Sequence, residues 1–145
     1  MPKDTITAAD EQKIIEAIKE AEMKTSGEIR VHIESNCEGD VLDRATEVFA
    51  ELHMHQTAER NGVLFYVALE DHQFAVLGDA GINTSVPDHF WEDITAEVIK
   101  NFKQKKYAEG LARGVRMAGE QLQAHFPYDR HGDINELSDD ISFGD

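Results

Sequence analysis

The sequence predicts an α/β fold: a β-α-β unit extended by an antiparallel hairpin strand, giving a small mixed sheet on which about four helices pack. Three observations carry this. Residues 63–69, VLFYVAL, are apolar or aromatic without alternation, the pattern of a central strand covered on both faces. Glu70, Asp71, His72 and Gln73 interrupt the run before Phe74, Ala75, Val76 and Leu77 resume it, which makes a hairpin with an acidic tip. Upstream, Ile29, Val31 and Ile33 alternate with Arg30, His32 and Glu34, and a helical pattern separates this strand from the central one.

Taken in order, Thr7 and Asp10 form a capping box for a first helix that runs to about Met23, with Ile14, Ile15, Ile18 and Ala21 on its apolar face. Thr25, Ser26 and Gly27 turn the chain into the alternating strand, whose polar face predicts a more peripheral place than that of the 63–69 strand. After a polar loop, Asp40 caps a second helix that points Leu42, Ala45, Val48, Phe49 and Leu52 inward and fades over residues 53–60. The crossover makes the first two strands parallel. Gly78 and Gly81 mark a turn out of the hairpin. Residues 84–88 start a third helix with Pro87 in its first turn, and Phe90, Trp91, Ile94, Val98 and Phe102 form its stripe. Tyr107, Leu111, Val115, Ala118 and Leu122 form the stripe of a fourth, where Gly110 and Gly114 predict close helix packing. Residues 1–126 read as one domain and 127–145 as an acidic, mostly extended tail, with Ile134, Leu137, Ile141 and Phe143 available to dock on the body.

The 145 residues carry 29 Asp and Glu against 14 Lys and Arg, a formal net charge of −15. Such a surface repels phosphate backbones and disfavours nucleic-acid binding. The basic cluster Lys100, Lys103, Lys105 and Lys106 reads as a solvated helix end. One cysteine, Cys37, makes no internal disulfide, and no window approaches a membrane span. A cytoplasmic, soluble protein without a membrane role is expected.

Chain topology gathers carboxylates from three places at one end of the sheet: Glu34 at the end of the first strand, Asp40 and Asp43 at the start of the second helix, and Glu70 with Asp71 at the hairpin tip. Two carboxylates about 4 Å apart repel by roughly 1 kcal/mol in water and about 4 at an effective dielectric of 20. A close cluster therefore binds a cation, takes up protons or splays. Hard divalent ions take such ligands, and a flexible loop with Ser35, Asn36 and main-chain carbonyls suits Ca²⁺ better than Mg²⁺. Each acid also has a plain structural reading: a helix cap, a first-turn charge or a turn residue. The seven histidines form no zinc motif, while His32 and His72 lie near the acidic end. Neither a nucleophile elbow nor a P-loop is present, and Cys37 reads as a loop thiol.

The segments GEIRVHIE, RNGVLFYVALEDHQFAVLGDAGI, VPDHFW and YAEGLARGVRMAGEQL together resemble the TPM domain family over about residues 27–124, and the FPYD tail with its NEL and ISF pieces is similar to a short, soluble bacterial subgroup. The resemblance implies a three-layer α/β/α sandwich with a divalent-cation site, calcium in particular; some members are acid phosphatases and others serve as assembly proteins at membranes. Asp40, Asp43, Glu70 and Asp71 fall where the family pattern has acids. His72 stands where an arginine is usual, which removes a permanently charged fork from any phosphate grip. The expectation is thus a calcium-binding domain using Asp40, Asp43, Glu70 and Asp71, with Glu34 as a ligand or as an acid behind them. The alternatives are a metal-dependent phosphomonoesterase, with His72 or His32 as proton carrier, and a protein-interaction or assembly module.

Overall fold

The computed structural model describes residues 6–87, 89–127 and 141–144. Helix α1 (Ala8–Glu22) opens on the expected capping box, with the Asp10 amide 3.0 Å from the Thr7 hydroxyl and the Thr7 amide 3.1 Å from the Asp10 carboxylate. Strand β1 (Glu28–Glu34), helix α2 (Val41–Glu51) and strand β2 (Gly62–Ala68) form the crossover unit, and β1 and β2 are parallel with Val31 opposite Phe65. Strand β3 (Gln73–Gly78) returns antiparallel to β2. The short helix α3 (Ala80–Asn83) and helices α4 (Phe90–Phe102) and α5 (Tyr107–His125) follow, and β4 (Ser142–Phe143) closes the order β3-β2-β1-β4 by pairing parallel to β1.

The sheet divides two cores, which gives the three layers. On one face Ile29, Val31, Val63, Phe65 and Val67 meet Ile14 and Ile18 of α1, Ile94 and Val98 of α4, and Leu111, Val115 and Leu122 of α5. On the other, Leu64, Tyr66, Ala68 and Ala75 meet Ala45, Val48 and Phe49 of α2 and Met54 beyond it. The unbroken apolar run of β2 is explained by this double covering. Gly114 lets α5 lie against α4: a Cβ there would stand 2.6 Å from a methyl of Val98. Among the described residues, no helix is long and apolar enough to cross a membrane.

Several expectations need correction. Strand β1 is not the edge of the sheet, since the two-residue β4 pairs with its outer side; Arg44 reaches its polar face from α2, and every residue but Arg30 is buried. Leu42 does not point inward and is 55% exposed, since the N-terminal turn of α2 overhangs the sheet edge. Residues 78–81 are not a plain turn: Asp79 caps α3 through its bond from the Ala80 amide and is gripped by Arg60 Nε and Nη2 at 2.7 and 2.8 Å. Pro87 precedes α4, accepting a bond from the Phe90 amide at 3.1 Å, rather than sitting in its first turn. Ile141 and Phe143 pack on the body, while Asp88, Ile134 and Leu137 lie outside the described residues.

At Gly81 a Cβ would stand 2.1 Å from the Glu59 carbonyl oxygen and 2.7 Å from that of Arg60, both main-chain atoms. Backbone yields less readily than a side chain. Gly81→Ala is expected to lower the unfolding free energy by about 1–3 kcal/mol in urea denaturation, and an unchanged midpoint would show that this loop is looser than drawn.

Candidate functional site

Because β1 and β2 run parallel, their C-terminal ends share one edge of the sheet. The pairing continues past both strands: the Leu69 amide donates to the Glu34 carbonyl at 2.9 Å and the Glu70 amide to that of Ser35 at 2.8 Å. The hairpin tip then ties down the loop before α2. Asp71 accepts the Cys37 amide on Oδ2 at 2.7 Å and the Asn36 side-chain amide on Oδ1 at 3.1 Å. These two bonds, the Cys37 amide foremost, hold its carboxyl below the usual range. Asp40 caps α2 through the Asp43 amide at 3.1 Å, and Asp43 occupies the first turn. Asp40, Asp43, Glu70 and Asp71 are all exposed. His72, with φ of 53°, closes the tip and is exposed too.

Glu34 is set apart from these four. Its carboxylate is buried, 3% exposed, between the sheet and α2, and Arg44 grips it in a fork, Nε to Oε2 and Nη2 to Oε1, each at 2.9 Å. The Tyr66 hydroxyl also donates to Oε2, and His32 Nε2 lies 3.0 Å from Oε1. A carboxylate has about four lone-pair sites; these four bonds take them all. Since Glu34 only accepts, the His32 proton sits on Nε2, and Nδ1 accepts from the Ser142 hydroxyl at 2.8 Å. Burial pushes the Glu34 carboxyl up, but the bonds from Arg44, Tyr66 and His32 outweigh it and hold it at about 2. Burial lowers His32 despite the opposing pull of Glu34, so the ring is neutral near pH 7. Tyr66 is raised, by burial first and then by its carboxylate partner.

The acids read from the sequence thus divide. Asp71 and the Asp40–Asp43 turn are joined through the loop 35–40, and Glu70 sits beside them on the tip. Glu34 belongs to the buried network behind. Among the described residues, no group of three or more His, Cys, Asp or Glu side chains stands close enough, as placed, to hold a metal. Sequence reasoning missed Arg44, Tyr66 and Ser142. Arg44 left a signal, as the one cation on α2 at the start of a crossover that begins from an acid. Tyr66 left none, because its hydroxyl is hidden in an apolar run.

The two shifts give stability an acid limb. Glu34 has a folded pKa below its unfolded value, so its contribution is complete above about pH 4.3 and is lost as pH falls toward about 2. His32 acts in the same direction, from about pH 6.5 downward, because the unfolded chain takes up the proton first. Urea unfolding followed from pH 7 to pH 2 is expected to show this decline, with a flatter profile in Glu34→Gln below pH 4.3; equal slopes in the two proteins would place the acid sensitivity elsewhere.

The model of the TPM domain matches residues 2–121. The NMR structure of BA42 from the psychrophilic bacterium Bizionia argentinensis is similar at 47% identity and a TM-score of 0.90, covering 96% of this chain and 95% of that one. Two more distant likenesses concern the fold alone: the N-terminal domain of cg2496 from Corynebacterium glutamicum, at 14% identity and TM-score 0.65 over 97% of this chain and 80% of that one, and the N-terminal domain of a P. gingivalis protein, at 19% and 0.69 over 86% and 82%. No curated protein matches. With its family model spanning most of the chain and a 47% identical neighbour sharing the whole fold, this protein belongs to the TPM domain family.

Proposed function

We propose that the chain is a cytoplasmic divalent-cation-binding domain, calcium foremost, with Asp40, Asp43, Glu70 and Asp71 as ligands. The observation that carries this is the Asp71 clamp, which fastens the hairpin tip to the loop leading into α2 and so keeps all four exposed carboxylates on one edge. The donor chemistry suits a hard cation: carboxylates, the Ser35 hydroxyl and the main-chain carbonyls of loop 35–40. The side chains have to close on the ion, since they are splayed as they stand. Each Asp71 oxygen accepts one bond here and retains a further lone pair. Glu34, saturated by protein donors, acts behind the ligands by fixing where α2 begins. The single cysteine suits a reducing compartment.

No observation favours phosphatase chemistry over binding alone. Of its two proton-carrier candidates, His32 has both ring nitrogens engaged, which leaves the exposed His72.

Adding CaCl₂ or MgCl₂ to ¹⁵N-labelled protein is expected to shift amides of residues 35–43 and 69–72, with the larger effect from calcium. Ion at 100 times its dissociation constant should add about 2.7 kcal/mol of stability. Glu70→Gln and Asp43→Asn, both at exposed positions, weaken the response without unfolding the chain. An absence of shifts at millimolar ion, or shifts confined to residues 141–144, would refute the assignment.

A further inference from the structure

The two edges of the sheet are treated differently. On the β1 side the chain supplies its own cover, with Ser142 and Phe143 paired to His32 and Ile33 and the Gly144 amide donating to the Ile33 carbonyl at 2.8 Å. On the other side β3 stands last in the strand order, with no neighbour on its outer edge among the described residues. Edge strands are ordinarily protected by a charge, a proline or a bulge. The stretch Phe74, Ala75, Val76, Leu77 has neither a charge nor a proline.

That edge opens into a slot of about 930 Å³ between the two helical layers. Its floor is residues 74–76, one wall is Val41 and Leu42 at the start of α2, and the other includes Trp91 and Ile99 of α4. The strongly exposed Leu42 belongs here: it faces the open slot rather than a core. Lys100 and Lys103 border the α4 wall, in a chain whose net charge is −15. Phe102, which precedes Lys103, meets Phe74 edge-on with ring centroids 5.8 Å apart, so these lysines flank the first half of β3. The acid in the slot lining is Glu92, one helical residue beyond Trp91.

From this geometry we infer that β3 accepts an extended peptide segment of a partner protein as a fifth strand, one whose aliphatic side chains alternate with carboxylates. A strand added there sends alternate side chains to opposite walls. Those facing α2 meet only Val41 and Leu42 and are aliphatic. Those facing α4 pass from the apolar Trp91 and Ile99 to the two lysines, and carboxylates satisfy that end. Main-chain bonds to β3 supply affinity, and the lysines select against basic segments. A second copy of this chain is a poorer occupant, because its β3, Gln73–Gly78, carries no carboxylate to meet Lys100 and Lys103.

The test uses a fluorescein-labelled peptide of alternating valine and glutamate, as long as β3, and its valine–lysine counterpart, with the full chain in EDTA so that cation binding plays no part. Saturable binding of the glutamate peptide is expected by anisotropy, with ¹⁵N shifts at residues 74–77 and at the Trp91 indole. Leu42→Glu and Lys103→Glu each weaken it by about tenfold, while their melting midpoints stay at that of the parent chain. The inference is overturned by no binding at millimolar peptide, by equal binding of the lysine peptide, or by shifts away from β3. A concentration-dependent dimer formed through β3, seen in sedimentation and unaffected by peptide, overturns it as well.

Discussion

A carboxylate buried beneath a helix has to be neutralised where it lies, and the end of this sheet is arranged around that requirement. Glu34 sits at the last position of β1, out of water, and Arg44 meets it from α2. Leaving one such charge unpaired costs roughly 3–5 kcal/mol, so the fork fixes where α2 begins relative to the strand. Everything further out follows: the Asp40 cap lies one turn before Arg44, and the loop before it is short enough for Asp71 to grip at two points. On its other flank the network reaches the C-terminal strand through His32 and Ser142. One buried negative charge therefore holds together β1, β2, α2 and β4.

The same arrangement separates a closed inner layer from an open outer one. Inside, Glu34 has spent its acceptor capacity on Arg44, Tyr66 and His32. Outside, Asp40 and Asp43 at the start of α2 and Glu70 and Asp71 on the hairpin tip remain exposed. Asp71 accepts from Cys37 and Asn36, and Asp40 from the Asp43 amide, so the acidic side chains stay in solvent while the segments that carry them are anchored. At right angles to this edge, β3 leaves its own flank uncovered between the helical layers.

Much of the fold was legible because it follows local rules. The capping pair Thr7 and Asp10, the Asp40 cap, the apolar run of β2 and the interruption at residues 70–73 each depend on neighbours a few positions away. Parallel pairing of β1 with β2 followed from the crossover, and so did the common edge for Glu34 and Glu70. What failed was long-range. The alternation of β1 gives no sign of what its polar face meets, and Arg44 and Tyr66, 10 and 32 residues from Glu34, make it part of the interior. A two-residue strand at Ser142 and Phe143 leaves no periodicity to detect. Leu42 fits the apolar stripe of α2 but stands where the sheet has ended, so helical spacing alone assigned it to a core it does not reach.

The dependence on the buried pair is measured most directly by a double-mutant cycle. Glu34→Gln, Arg44→Met and the two together would be unfolded in urea at pH 7. Direct coupling through the fork predicts that the double variant is more stable than the sum of the single losses allows, by about 1–3 kcal/mol. Losses that add to within about 0.5 kcal/mol would mean that Glu34 and Arg44 act separately, and that the placement of α2 and of the acidic edge has another cause.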